Sequence, residues 1–118
     1  MGVVSPIGNT VAEVWDSVLH SRCGIGEITH FDATDFRAKL AGEVKNLDME
    51  QYFTKRDLKF NDRFTQFTRI AAKQAYENSG LAEAEFNRDR FGVIIGSGIG
   101  GIATIEGASQ TIENRGPS

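Results

Sequence analysis

The glycines of residues 96–101 have the spacing that most directly suggests chemistry. Gly96, Gly98 and Gly101 satisfy the pattern G-x-G-x-x-G, in which glycine backbone approaches the pyrophosphate of a dinucleotide where a helix begins. Residues 91–95 precede them as a compact run of aromatic and β-branched side chains, which predicts a buried strand. The stretch therefore predicts a strand, a glycine turn and a helix.

Three interpretations of this loop compete. A dinucleotide-binding domain also needs an acidic residue about twenty positions further on and a first-strand position in a βαβ unit. Glu106 and Glu113 lie too close to the loop, and two predicted helices precede it. Alternatively, the glycines allow close helix–strand packing, or they leave room for an apolar substrate tunnel in which Ile99 is the one large side chain. The residues alone do not separate the last two.

The chain's thiol and imidazoles are weak candidates for catalysis or metal binding. Cys23 follows a predicted helix, where the negative end of the dipole disfavours a thiolate. His20 and His30 are ten positions apart and lack the spacing of paired metal ligands. We expect no catalytic residue, metal site or cofactor among them.

Positive charge is concentrated in one short segment. Lys55, Arg56, Lys59 and Arg63 are four of the 13 basic residues of a chain with net charge −3. They form either a solvated helix face or a docking surface for an acidic partner. The net charge does not indicate a nucleic-acid-binding surface.

The first half of the chain predicts short elements. The capping box from Thr10 to Glu13 begins a helix, whose apolar face should pack on a core and which residues 24–26 should end. Residues 40–44 predict a short strand, and Asp48 with Gln51 predicts a small helix. The predicted core-facing residues of the first helix are Val11, Val14, Trp15, Val18 and Leu19.

A longer helix is predicted to end near Ser79, with Gly80 as the residue that follows it. It should carry one continuous apolar stripe, and its small residues Ala71 and Ala75 should allow another segment to approach closely. A looser isoleucine pattern predicts a helix after the glycine loop, ended by residues 116–117. The stripe consists of Phe60, Phe64, Phe67, Ala71 and Ala75.

The bulk composition indicates one globular domain or a piece of one. Of the 118 residues, 40% are hydrophobic and 25% charged, which is typical of a folded soluble chain. No apolar run approaches the roughly 20 residues of a bilayer span, so we expect no membrane association and a cytoplasmic location. A single cysteine excludes an internal disulfide.

Blocks of residues along the whole chain occur in the order found in one enzyme family. They are residues 2–9 (GVVSPIGN), Trp15, residues 24–26 (GIG), 30–32 (HFD), 62–67 (DRFTQF), 88–90 (RDR) and 92–101 (GVIIGSGIGG). They resemble the N-terminal region of β-ketoacyl-acyl-carrier-protein synthases, and Ile99 in the loop resembles the type II elongating enzymes.

The resemblance implies an α/β fold of the thiolase-like type, five αβαβα layers in the complete enzyme, and a homodimer. It implies a decarboxylative Claisen condensation of an acyl thioester with malonyl-carrier protein, in fatty-acid synthesis. We expect residues 1–118 to be the N-terminal part of such a domain, with the first strand and the C-terminal half missing. A non-catalytic partner subunit resembling a chain-length factor is the alternative, and a dinucleotide-binding domain through residues 96–101 a weaker one.

The resemblance also assigns site residues. Neither Cys23 nor the two histidines correspond to the family's nucleophile or catalytic histidines, so the chain alone is predicted to be inactive. Ile99 corresponds to a residue lining the acyl pocket near the dimer contact. The docking surface for acyl carrier protein and its acyl and malonyl thioesters is predicted to include Lys55, Arg56 and Lys59.

Overall fold

The computed structural model describes residues 1–117, so that Ser118 of the predicted 1–118 domain lies outside the described residues. The described chain forms two compact units, Met1–Asp48 with Ile70–Glu85, and Met49–Arg69 with the residues from Phe86 onward. The elements in chain order are α1 (Val11–Leu19), β1 (Ile25–Glu27), β2 (Leu40–Gly42), a 3-10 turn (Met49–Gln51), α2 (Lys55–Phe60), α3 (Arg63–Asn78), a second 3-10 turn (Arg88–Arg90) and α4 (Ile102–Arg115).

Helix α1 begins where the sequence predicts. The Thr10 side chain accepts from the backbone N–H of Glu13 at 3.2 Å. The Glu13 carboxylate accepts from the N–H of Asn9 at 2.6 Å, one residue before the cap, so both ends of the capping box find backbone donors. The predicted end was wrong, because α1 stops at Leu19 and Ser21 takes a positive φ of 51°.

The segment expected to end that helix is instead a strand. β1 pairs antiparallel with β2, with Ile25 opposite Gly42 and Glu27 opposite Leu40. The strand predicted over residues 40–44 is confirmed at its first three residues. Its partner was missed because a three-residue strand centred on a glycine carries almost no local strand signal.

The N-terminal segment lies directly on helix α3. A Cβ added at Gly2 would overlap the carbonyl oxygen of Ala71 and approach the nitrogen of Ala75 to 2.7 Å. This confirms that the alanine face of α3 permits close approach. The side-chain amide of Gln74 completes the contact, since it accepts from Val3 N–H at 3.0 Å and donates to the Asn9 carbonyl at 2.7 Å.

The predicted continuous apolar stripe was wrong at its first member. α2 ends at Phe60, Asn61 is extended (φ −112°, ψ 128°), and α3 starts at Arg63. Phe60 therefore belongs to a separate helix and is 73% exposed, whereas Gln66 and Ile70 are the buried residues of α3. The predicted end is confirmed, because Gly80 has φ +72° just beyond the helix.

Residues 91–95 do not form the predicted buried strand. They are neither helix nor strand, and Val93 and Ile94 are exposed. A strand needs a hydrogen-bonding neighbour, and no other stretch of residues 1–117 pairs with this one.

The predicted core packing of the apolar face of α1 is not observed, because Trp15 and Leu19 on that face are exposed.

The remaining helical predictions hold in outline. The small helix expected after Asp48 is the single 3-10 turn Met49–Gln51. The helix expected after the glycine loop is α4, which ends before Gly116 at φ +76°. Over residues 1–117, none of the helices combines the length and apolar character needed to cross a bilayer.

Gly8 tests the packing of the first unit, and Gly107 in α4 serves as its control. A Cβ at Gly8 would lie 2.7 Å from the backbone nitrogen of Val14 in α1. A Cβ at Gly107 inside α4 would meet no atom of another described segment within 4 Å. We expect Gly8→Ala to lower the free energy of unfolding by roughly 1–3 kcal/mol. Gly107→Ala should raise it by roughly 0.5–1 kcal/mol, because alanine stabilises a helix interior. Urea denaturation measures both, and equal effects of the two substitutions would contradict the packing described.

Candidate functional site

The last two glycines of the loop sit on the segment that begins α3. Gly100 has φ +78°, and a Cβ there would lie 3.5 Å from the Phe64 ring. A Cβ on Gly101 would overlap the Asp62 carboxylate. Gly96 and Gly98, in contrast, have no atom within 4 Å of their Cβ positions. The close backbone approach predicted for this loop is thus made only at its downstream end.

A side-chain hydrogen bond holds the same end of the loop. The Thr104 hydroxyl, in the first turn of α4, donates to Oδ1 of Asp62. A cleft of about 470 Å³ lies beside this bond. Its lining consists of Leu58, Lys59, Phe60, Asn61, Asp62, Arg63, Gln66 and Thr104. The end of α2 and the start of α4 therefore share one concave surface.

Ile99 projects from this loop with 73% of its surface exposed. It lies at a bend between Gly98 and Gly100, and these flanking glycines have no side chains that could cover it.

The structure does not favour the dinucleotide interpretation of this loop. The required strand is missing from residues 91–95, and the loop residue with positive φ is Gly100, which is not one of the three fingerprint glycines.

Helix α2 is fixed at its N-terminus by a complete capping box. The Thr54 side chain accepts from Asp57 N–H at 3.2 Å, and the Asp57 carboxylate accepts from the Thr54 N–H at 3.2 Å and hydroxyl at 2.8 Å. Arg69 lies 3.6 Å from the other oxygen of Asp57. These bonds from Thr54, and secondarily the charge of Arg69, hold the pKa of Asp57 below its usual range.

The predicted docking cations are together on the outside of this helix. Lys55, Arg56 and Lys59 are exposed, and at about 100° per residue they span roughly one quadrant of α2. No carboxylate of residues 1–117 lies within the 4.0 Å ion-pair distance of any of them. The one acid of α2, Asp57, is engaged by its cap and by Arg69, so none of the described carboxylates forms an ion pair on this face.

Aromatic rings support two cations at the edges of this face. Lys59 Nζ lies 5.7 Å from the centroid of the Phe60 ring, and the Arg63 guanidinium carbon lies 5.0 Å from that of Phe67. Such contacts orient a cation without neutralising its charge. Arg63 belongs to α3 and not to α2, a division that the basic run in the sequence does not reveal.

Cys23 and the two histidines belong to the chain's first unit, whereas the glycine loop belongs to the second. The Cys23 thiol is exposed and lies 3.9 Å from the Ile25 carbonyl oxygen. His20 contacts Asp16 at 3.1 Å. His30 lies 3.9 Å from Glu43, a carboxylate whose pKa is held below its usual range by hydrogen bonds from the backbone and side chain of Thr29. The structure pairs neither histidine with the thiol.

The residues that sequence reasoning missed are the partners of the loop. Asp62 and Thr104 are 42 positions apart, and no local pattern joins them. The start of α2 did have a signal, because Thr54-x-x-Asp57 has capping-box spacing with aspartate as the acid. Among residues 1–117, no group of three or more histidine, cysteine or acidic side chains could hold a metal ion.

Residues 1–117 match the N-terminal domain of β-ketoacyl synthases. The chain belongs to the β-ketoacyl synthase family. It is 47% identical over 117 residues to 3-oxoacyl-[acyl-carrier-protein] synthase 2 of Vibrio cholerae, 40% over 118 residues to that of Synechocystis, and 42% over 117 residues to that of Staphylococcus aureus. These alignments cover 99–100% of this chain.

The chain spans less than a third of the length of these synthases, 28% of the Vibrio cholerae protein and 29% of the Staphylococcus aureus protein. Membership of the β-ketoacyl synthase family confirms the resemblance drawn from the sequence blocks. It supports a thiolase-like α/β fold, with which the mixture of helices and one small sheet does not conflict.

The lowered pKa of Asp57 predicts how α2 responds to acid. Stability that depends on the charged carboxylate is present above the usual aspartate range, about pH 4, and is lost as the pH falls through the lowered pKa of the folded state. We expect the Cα chemical shifts of α2 to move toward random coil in step with an Asp57 carboxyl titration below that range. In Asp57→Asn the acid-dependent step should disappear.

Asp89→Asn is the matched control, because no side-chain partner of Asp89 is seen among the described residues. It should leave the acid response of α2 unchanged. The role of the capping box would be contradicted if Asp57 titrated in the ordinary aspartate range and the Cα chemical shifts of α2 did not change with that titration.

Proposed function

We propose that this chain is the N-terminal part of a type II β-ketoacyl-acyl-carrier-protein synthase of fatty-acid synthesis, acting in the cytoplasm as a homodimer. The reaction transfers an acyl group from a carrier protein to a nucleophilic cysteine. Malonyl-carrier protein then loses carbon dioxide, and the resulting carbanion attacks the acyl thioester. In this proposal the complete protein has the thiolase-like αβαβα layers, and residues 1–117 contribute surfaces to it.

The uncompensated positive face of α2 is the observation that carries the proposal. An acyl carrier is an acidic partner, and exposed charges of opposite sign orient and accelerate such encounters. Lys55, Arg56 and Lys59 are exposed and free of ion pairs with the described carboxylates. Since the family is defined by condensation of carrier-bound thioesters, this face is assigned to carrier docking.

The nucleophile is assigned to a residue beyond this chain. A catalytic thiolate needs a neighbouring base, a cation or a helix N-terminus to lower its pKa. Cys23 follows the C-terminal end of α1, and within residues 1–117 its sulfur contacts a carbonyl oxygen. His20 and His30 are engaged by Asp16 and Glu43. These contacts support the proposal that the nucleophile and the catalytic histidines lie outside residues 1–117.

Ile99 is assigned to the wall of the acyl pocket. Its side chain is exposed at a bend flanked by two glycines, and no large side chain stands next to it in sequence. In a complete synthase, an apolar side chain in that position would contact the end of an acyl chain. Its size would then limit the length that the pocket accepts.

Charge reversal on α2 tests carrier docking. In the complete synthase, Arg56→Glu with Lys59→Glu should raise the dissociation constant for malonyl-carrier protein at least about 5-fold at low salt. The difference from wild type should shrink at high salt, where screening shortens the range of the charges. Binding can be followed by fluorescence anisotropy of labelled carrier.

The matched control is Arg37→Glu with Lys39→Glu, which makes the same change in net charge at exposed positions of the other unit. It should leave the dissociation constant within about 2-fold of wild type. Equal weakening by both pairs would mean that only net charge matters and would remove α2 from the docking surface. Carrier binding without condensation by the complete protein would identify the non-catalytic partner subunit instead.

Substitution of Ile99 tests the pocket assignment. Ile99→Phe adds volume at the loop and should shorten the longest acyl chain elongated by the complete synthase. Ile99→Val retains an apolar side chain and should leave that limit nearly unchanged. Mass spectrometry of the acyl products measures the chain-length profile. An identical profile for Ile99→Phe and wild type would exclude Ile99 from the pocket.

A further inference from the structure

Asp62 occupies the junction between the basic helix and the glycine loop. α2 ends at Phe60, and Asn61 caps it by donating to the Asp57 carbonyl from both its backbone N–H (2.9 Å) and its side chain (2.8 Å). Asp62 is the next residue, and its carbonyl accepts from Gln66 N–H at 3.0 Å as α3 begins. Its backbone position is therefore fixed by the end of one helix and the start of the next.

The side chain of Asp62 contacts the second segment of this unit, which begins at Phe86. Its carboxylate accepts from the Thr104 hydroxyl and packs against Gly101 so closely that a Cβ there would overlap it. Gly100 packs on the Phe64 ring, two residues further along. Residues 62 and 64 thus hold the two positions that directly follow Ile99.

Among the described residues, the close glycine contacts of the loop are made at this end. Cβ atoms at Gly96 and Gly98 would meet no atom within 4 Å, and Ile94 and Ile95 on the upstream side are exposed. The contacts seen next to Ile99 are those made downstream, at residues 100, 101 and 104. The carboxylate also lies at the positive end of the α4 dipole, which favours a negative charge there.

Other charges leave this contact undisturbed. The neighbouring Arg63 is directed onto the Phe67 ring, and no cation of residues 1–117 lies within ion-pair distance of Asp62. Thr104 is the hydrogen-bond donor found for the carboxylate. Asp62 is thereby reserved for the loop and does not form part of the basic docking face.

We infer that Asp62 is a positioning residue that couples carrier docking on α2 to the position of Ile99 in the acyl pocket. The inference rests on the proposed function for its two ends. The connection itself, from α2 through Asn61 and Asp62 to Thr104 and Gly101, consists of contacts within one compact unit. A carrier that shifts the end of α2 displaces the loop through the Asp62 carboxylate.

Thr104→Val provides the first test, because Thr104 is exposed and its loss should not unfold the chain. Hydrogen–deuterium exchange of residues 98–104 should become at least about 5-fold faster than in wild type. Thr111→Val is the control, since the Thr111 hydroxyl lies on the same helix and donates to the Gly107 carbonyl within α4. Equal exchange in the two variants would overturn the inference, whether or not the chain binds a carrier.

The variants of Asp62 separate positioning from general stability. Asp62→Asn keeps an oxygen that can accept from Thr104, so residues 98–104 should still exchange slowly. In Asp62→Ala these residues should exchange as fast as in Thr104→Val. In the double variant Asp62→Ala with Thr104→Val, residues 98–104 should exchange no faster than in either single variant, because both substitutions remove the same interaction. Fully additive effects would show that the two residues act separately and would sink the proposal.

The coupling is tested in the complete synthase with unacylated carrier protein as the probe. Carrier binding should change exchange at residues 98–104 in wild type and Thr111→Val but not in Thr104→Val. The ratio of kcat/KM for long and short acyl chains should shift at least about 3-fold in Thr104→Val, with little change in KM for the carrier. A changed KM with an unchanged ratio would contradict coupling. Absence of carrier binding by wild type would instead count against the proposed function.

Discussion

The side-chain amide of Gln74 is the interaction on which the first unit depends. It binds the backbone of Val3 and of Asn9, residues 71 and 65 positions away, and so ties both ends of the N-terminal segment to α3. Asn9 in turn donates to the Lys45 carbonyl at 2.8 Å, and Ser17 of α1 donates to the Ile7 carbonyl at 2.7 Å. One amide thereby anchors a series of bonds that reaches α1 and the segment after β2.

Polar contacts have this importance because apolar burial is sparse. Phe53 and Ile70 are the buried hydrophobic residues among those described, while Ser17 and Gln66 are buried polar ones. Gln66 resembles Gln74 in its role, since its amide donates to the Asn61 carbonyl at 2.7 Å and so fixes the junction before α3. In each unit, the side-chain amide of a glutamine of α3 holds a neighbouring segment by its backbone groups.

The sequence predicted what local signals determine. The cap at Thr10, the glycine after α3 and the isoleucine helix after the loop were predicted because caps and helical periodicity lie within a few residues of each other. Residues 91–95 were mispredicted because a strand depends on a neighbour, and the break after Phe60 was hidden by an apolar spacing that continued across it. The loop composition and the charge pattern singled out Ile99 and the cations of α2, and the family resemblance gave them their proposed roles. The Asp62–Thr104 contact could not be predicted from the sequence, because it joins residues that are far apart in the chain.

Trp15 gives this chain a built-in optical reporter. It is the one tryptophan in the sequence, and 62% of its surface is exposed on the apolar face of α1. An indole in water emits at longer wavelength than one in an apolar contact. Any protein segment that comes to cover α1, from the same chain or another, therefore changes the colour of the emission, and assembly on that face is visible in an unlabelled sample.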